Sequence, residues 1–321
     1  MIEKIAILIM ALINQTYIFS SGNTEADLLG AVVNEGSVDA SAGNDDKINW
    51  NYYMENLKVG SELSILPSKN NDAKEMEISS KSAVVMDIGT NAVLFSKEEN
   101  RKMPIASLSK LMTAIIAMEK IDLSDRIVIT EKAIKKGGKR DGLFAGEEIM
   151  AEDLLKIMLV NSNNVAAEAI AEHVNGESGD FIGLMNERAE LLGLENTRFF
   201  NASGLDQQEE NYSTAYEIAQ IFDYGLRYSR IWEDMKIQRG EVWSADKKTK
   251  HILKSTNLLL GKVKNIEGGK TGFTDDAGEC MVLVAGSDDA NNKIVSVVLN
   301  SSDRFKDTEK IINWTFDNYR W

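Results

Sequence analysis

The sequence is poor in the residues that staple chains or bind metals. Among 321 residues there is one cysteine, Cys280, with two prolines, Pro67 and Pro104, and two histidines, His173 and His251. One thiol cannot close an internal disulfide. One Cys and two distant His offer no zinc-ligand spacing, so zinc is not expected. Gly-x-Ser-x-Gly is absent and neither histidine lies in a motif, which disfavours a Ser-His-Asp hydrolase. His173 follows an alanine-rich stretch and reads as structural, and Cys280 reads as a small core residue on a strand. Positive charge is also scarce. Thirty-six Lys and Arg face 50 Asp and Glu, a net charge of -14. Such a surface suits neither nucleic acid nor an anionic membrane face.

What is present is apolar content: 43% of the residues are hydrophobic. That fills the core of one large domain or two modest ones. At the N-terminus Lys4 precedes an apolar run, Ile5 to Ile13, followed by polar residues and then Ser20, Ser21 and Gly22. This order reads as an export signal over residues 1–22, either cleaved near Gly22 or retained as an anchor. The run is short for a bilayer span of ~20 residues. The expected location is therefore extracellular or in the cell envelope, with membrane contact only through this segment. Residues 23–78 are mostly Gly, Ser, Asn, Asp and Glu without a sustained period and read as a tether. Trp50, Tyr52 and Tyr53 could dock it locally.

The ordered domain is expected over residues 79–321. Ala83 to Asp87 and Ala92 to Phe95, separated by Gly89-Thr90-Asn91, form a hairpin pattern. Pro104 then opens a long apolar helix, from about Ile105 to Ile121. Residues 151 to 231 show helical spacing at Leu154, Leu155, Met158 and Leu159, and again at Phe181, Leu184, Met185 and Ala189, with Gly193 as a stop. Strand-like runs return at 268–273, 281–285 and 294–299, with a turn at 288–292. A final helix spans about 307–319. Strands at both ends and helices between predict an α+β fold, one antiparallel sheet completed by both chain ends with helices packed on it.

Three short elements carry chemistry. The first is Ser107-Leu108-Ser109-Lys110. A serine hydroxyl needs a base, and residues three apart on a helix share a face. Lysine serves as that base when burial or a neighbouring cation lowers its pKa. A decoy, Ser244-Ala245-Asp246-Lys247, lies in a very polar stretch and reads as a solvated loop. The second element is Ser162-Asn163-Asn164, whose hydroxyl and amide could relay a proton and grip a substrate amide, or simply cap a helix. The third is Lys270-Thr271-Gly272, flanked by Gly268 and Gly269. It joins a positive charge and a hydroxyl to a backbone that a ligand can approach closely. Ser162 follows Ser107 by 55 positions and Lys270 follows Ser162 by 108. Ser-x-x-Lys, Ser-x-Asn and Lys-Thr-Gly in this order are the signature of serine β-lactamases and penicillin-binding proteins.

Over about residues 79 to 321 the chain resembles the low-molecular-mass penicillin-binding proteins of the D-alanyl-D-alanine carboxypeptidase type. The stretches Ile105 to Ala114 and Glu267 to Thr274 carry the likeness, supported by Phe200 to Asp206 and Tyr212 to Tyr216. The resemblance implies a β-lactamase/transpeptidase-like fold and removal of the terminal D-alanine from peptidoglycan stem peptides, with β-lactam antibiotics as inhibitors and with no metal or organic cofactor. It implies Ser107 as nucleophile, Lys110 as its base, and Ser162 with Lys270 passing a proton to the departing D-alanine. Thr271 would hold the terminal carboxylate and Asn164 the acyl donor, with the N–H groups of Ser107 and Phe273 as oxyanion hole beside Gly272. Val165 departs from the family, where an acid is common, and so does the wording of residues 135–142. Alternatives of similar chemistry are a D,D-endopeptidase or transpeptidase and a β-lactamase. The last needs a glutamate to activate the deacylating water, and this sequence has no Glu-x-x-Leu-Asn between Ser162 and Lys270. A non-catalytic wall-binding module is the alternative of another class, and it would be expected to have lost a catalytic side chain.

Overall fold

The computed structural model describes residues 66–138, 142–206, 208–288 and 291–321. The expected export signal, most of the tether and the three aromatic residues within it lie outside the described residues. No helix among the described residues is long and apolar enough to cross a membrane.

The chain enters through β1 (Ser68–Lys69), then the hairpin β2 (Ser82–Asp87) and β3 (Val93–Lys97). The short β4 (Met103–Pro104) leads into a 3-10 turn, Ala106–Ser109, and then α1 (Lys110–Lys120). β5 (Arg126–Val128), α2 (Glu131–Gly137) and β6 (Glu148–Met150) follow. The helical middle comprises α3 (Ala151–Val160), α4 (Asn164–Ser178) and α5 (Phe181–Leu191), then β7 (Tyr212–Ser213), α6 (Ala215–Gly225) and α7 (Ser229–Met235). A second hairpin, β8 (Arg239–Trp243) and β9 (Lys250–Lys254), precedes the long strands β10 (Ile266–Thr274), β11 (Gly278–Gly286) and β12 (Lys293–Ser301). α8 (Arg304–Asn318) and β13 (Tyr319–Arg320) close the chain.

Five strands form one antiparallel sheet in the order β10-β11-β12-β2-β3, so both chain ends complete it. Side chains alternate across a strand, and this period sorts the core into two layers. Val84, Met86, Val282, Val284, Val295 and Val297 face the helical middle, with Ile115 and Ile218. Ala83, Val85, Met281, Leu283, Ile294 and Val298 face α8, with Ile311 and Ile312. Burial on both faces explains why β2 and β11 read as nearly unbroken apolar runs. β10 is an edge strand, so one side of its backbone is available beside the helical layer.

Three expectations need correction. The domain begins before residue 79: Ser68 and Lys69 pair with Arg320 and Tyr319, and Met76 and Ile78 pack with the α8 layer. Those two isolated apolar residues in polar sequence carry no period. Pro104 does not open a helix. It pairs with Tyr212, and Ala106 has φ +47°, so the chain reaches α1 only at Lys110. The polar stretch around Ser244 is the turn of the β8–β9 hairpin, whose strands bury few side chains, among them Val242, His251 and Leu253. The decoy serine itself sits in that turn, bonded to Asp246. His173 lies 3.5 Å from Asp125 and His251 2.7 Å from Glu147, both structural contacts. Cys280 is buried on β11, and burial pushes its thiol up to about 11.

Candidate active site

The site lies where the 3-10 turn, the α3–α4 junction, the 201–204 loop and β10 meet. Ser107 is held ahead of α1 by a tightly specified turn. Ser109 Oγ donates to Ala106 O at 2.8 Å, and Ala106 takes the left-handed backbone region. Behind it sits Gly204, itself at φ +76°. A Cβ at 204 would lie 1.9 Å from Ala106 O, so only glycine fits. On the other side a Cβ at Gly272 would lie 3.1 Å from Ser107 N. The backbone of β10 therefore runs close beside the Ser107 amide, the arrangement that a two-amide oxyanion hole requires. Phe273, next along, is 58% exposed at the rim.

Lys110 is fully buried at the start of α1. Its Nζ donates to Ser107 Oγ at 2.9 Å, to Asn164 Oδ1 at 2.6 Å and to the main-chain oxygen of Ser203. Asn164 is the first residue of α4, and Asn163 caps that helix by accepting from Ala166 N at 2.8 Å. Both sequence readings of Ser-x-Asn thus apply, to different residues: the middle one caps and the outer two face the site. Ser162 has φ +59° and turns back toward β10. There Lys270 Nζ, also buried, donates to Ser162 Oγ at 2.7 Å and to Thr271 O at 2.8 Å. Burial holds the Lys270 amine well below its ordinary pKa, and the positive charges of Lys110 and Arg304 push the same way.

This shift has a measurable consequence. From its depressed value up to about 10.4, Lys270 binds a proton in the unfolded chain but not in the folded one. Stability must then rise with pH across that window, by up to about 1.4 kcal/mol per pH unit. Lys270→Met should flatten that slope in denaturant unfolding at successive pH values. An unchanged slope would mean that the folded protein keeps Lys270 protonated.

All eight residues expected from the sequence converge here, from three separate stretches of chain. The structure adds others that no short pattern announced. Ser203 supplies a main-chain oxygen, so its identity left no trace beyond the stretch 200–206. That loop is fixed by Asn201, which accepts from Gly204 N at 2.6 Å, and by Asn211, which accepts from Phe200 N at 2.7 Å. Thr256 Oγ1 lies 2.6 Å from Thr271 Oγ1. Arg304, the first residue of α8, donates to Gly272 O at 2.7 Å and brings a permanent positive charge behind β10. Asn161 ties the Ser162 turn to β9, donating to Ile252 O at 2.9 Å and accepting from Lys254 N at 3.1 Å. The acidic trio Asp206, Glu210 and Asp276 lies beyond the end of the 201–204 loop and at the β10–β11 turn.

Comparison with known proteins agrees with this geometry. The family model described as D-alanyl-D-alanine carboxypeptidase matches residues 69–303. The carboxypeptidase DacF of Bacillus subtilis is 33% identical over 253 residues, covering 76% of this chain and 64% of DacF. The chain thus spans just under two thirds of that relative. The D-alanyl-D-alanine endopeptidase of Escherichia coli is 31% identical over 253 residues, covering 75% of this chain and 79% of its own. Among solved structures, penicillin-binding protein D2 from Listeria monocytogenes in its cefotaxime-bound form superposes with a TM-score of 0.64 at 30% identity, over 76% of this chain and 99% of that one. The β-lactamase/transpeptidase-like α+β architecture and the peptidase signature therefore coincide in one molecule, and the chain belongs to the D-alanyl-D-alanine carboxypeptidase family.

Proposed function

We propose that this protein is a serine-type D-Ala-D-Ala carboxypeptidase that removes the terminal D-alanine from peptidoglycan stem peptides through an acyl-enzyme. The observation that carries this reading is a pair of buried lysines, each within hydrogen-bond distance of a serine hydroxyl: Lys110 with Ser107 and Lys270 with Ser162. A neutral amine has two N–H bonds and one lone pair. When Lys110 is neutral, Asn164 Oδ1 and Ser203 O remain acceptors for its two N–H bonds, and its donation to Ser107 Oγ gives way to a lone pair that faces the hydroxyl. Ser107 Oγ attacks the carbonyl between the two D-alanines as its proton passes to Lys110. Negative charge develops at the carbonyl oxygen, beside the N–H groups of Ser107 and Phe273.

As the C–N bond breaks, Ser162, hydrogen-bonded to the amine of Lys270, hands a proton to the departing D-alanine nitrogen. Thr271 receives the substrate's terminal carboxylate. The Thr256 hydroxyl beside it and the Arg304 charge behind it favour an anion in that place. Asn164 holds the acyl-donor side. Water then cleaves the ester, so peptide and water yield a shortened peptide and free D-alanine. A β-lactam presents a strained amide and a carboxylate to the same groups and acylates Ser107. The cefotaxime-bound Listeria relative supports that reading. The wall substrate and the apolar run Ile5 to Ile13 together support export, with the N-terminal segment either removed or kept as an anchor.

The relative named as an endopeptidase favours a second reading, in which the leaving amine belongs to a cross-link. Incubation with a peptide ending in D-Ala-D-Ala, and separately with cross-linked muropeptides, distinguishes the two. Free D-alanine from the first is the expected result. Cleavage of the cross-link without release of D-alanine would move the assignment to the endopeptidase.

A further inference from the structure

Glu168 is an acid where the core wants none. It lies on α4 one helical turn beyond Asn164 and is 3% exposed, between the fully buried Ala167 and the buried Ala169 and Ile170. Its Oε1 has no hydrogen-bond partner. An apolar side chain would fill this place without the cost of burying a carboxyl group. Packing therefore gives no reason for the acid, but its neighbours do. Glu168 lies at i+4 from Asn164, on the same face of α4, and Asn164 Oδ1 accepts from Lys110 Nζ at 2.6 Å; the Ser203 hydroxyl and the charge of Lys110 both act on its carboxyl. Ser203 is the residue whose main-chain oxygen receives Lys110 Nζ.

We propose that Glu168 is a positioning residue for the catalytic amine: it fixes Ser203 as an acceptor for Lys110 and sets a negative charge in the field of that amine. The inference rests on Lys110 being the base of the reaction. A carboxylate near Lys110 favours its protonated form, and a protonated amine cannot accept the Ser107 proton. Glu168 thereby sets the pH at which the base becomes competent. The charges bearing on Glu168 come from several elements: Lys110 on α1, Lys136 on α2 with its Nζ 4.0 Å away, and Glu172 on α4 itself. Burial raises the pKa of Glu168, while Ser203 and the two lysines act against that.

The test is the pH profile of acylation by labelled penicillin, read as the second-order rate constant, in the wild type, Glu168→Gln and Glu168→Asp. Gln keeps the hydrogen bond with Ser203 and removes the charge. Its acid limb should move to lower pH by about one unit, a roughly tenfold gain in rate well below the limb. Asp keeps the charge on a shorter stem, so its limb should stay in place while its plateau falls several-fold. A merely structural role would lower plateaus and leave both limbs where they were. Coincident limbs for the wild type and Glu168→Gln would overturn the proposal. Should Glu168→Gln fail to fold, Glu168→Met removes the same charge at similar volume and carries the same expectation for the limb. Lys110→Met separates the two levels of the argument. If it acylates at the wild-type rate, Lys110 is not the base; if it is inactive while the limbs coincide, only the role of Glu168 falls.

Discussion

Ser107→Ala should abolish both release of D-alanine from a D-Ala-D-Ala peptide and covalent labelling by penicillin. The expected loss of turnover is about 10⁴-fold or more, the scale seen when a nucleophile acting within a concerted unit is removed. Folding should survive. Ser107 is only partly buried, its side-chain bond in the free protein is to Lys110, and the shape of the turn depends on Ala106, Ser109 and Gly204. An unchanged melting temperature with no acylation is therefore the expected pair of results. Labelling of the alanine variant at the wild-type rate would place the nucleophile elsewhere.

The second large effect is at Lys110. Lys110→Met should slow acylation by about 10³-fold or more, because Ser107 loses the group that takes its proton. Lys110→Arg decides what the lysine contributes. A guanidinium keeps the positive charge but stays protonated under all working conditions. If Lys110 acts as a base, arginine should be no better than methionine; if it acts only as a fixed charge, arginine should restore much of the rate. The double variant Ser107→Ala with Lys110→Met should be no slower than Ser107→Ala alone, since the two act on one proton. Lys110→Met should also destabilise the protein. It leaves Asn164 Oδ1 and Ser203 O without the amine, at about 1–3 kcal/mol for each buried group so orphaned. Activity must therefore be compared at a temperature where both proteins are folded.

The sequence disclosed those parts of the site that are side chains in fixed local patterns. Ser107 and Lys110, three apart, announced themselves by spacing and by the apolar helix behind them. Lys270 and Thr271 did so through the glycines of an edge strand. The sheet was legible because burial on both faces forces long apolar runs in β2, β11 and β12. What stayed hidden has common physical causes. Ser203 contributes a main-chain oxygen, which any residue possesses. Thr256 and Arg304 reach Thr271 and Gly272 from 15 and 32 positions away and belong to no motif of fixed spacing. Ala106 and Ser162 occupy the left-handed backbone region without being glycine, so nothing in their identity signalled a turn in place of a helix start. Pro104 carries a fixed φ that suits a helix start and an extended pair alike, and the pairing partner, Tyr212, is far along the chain. Strand β1 buries no side chain, so no pattern could place it in the domain.

The carboxylate end of the site shows how the fold turns these separate pieces into one chemistry. β10 is an edge strand, so a substrate backbone can lie along it. Its permanent positive neighbour, Arg304, comes from the start of α8, packed on the opposite face of the sheet. Burial, and after it the charges of Lys110 and Arg304, keeps the Lys270 amine short of its usual proton. The same charges that prepare the proton relay thus prepare the place for an anionic substrate terminus.

The account's central claim is that Ser107 forms the covalent bond. Mass spectrometry of the protein trapped with a β-lactam, followed by proteolysis and peptide mapping, tests it directly. The adduct should sit on Ser107 in the peptide that contains Ile105 to Lys110, and on no other residue. An adduct on Ser162, Ser109 or any other side chain, in protein that still releases D-alanine, would contradict it.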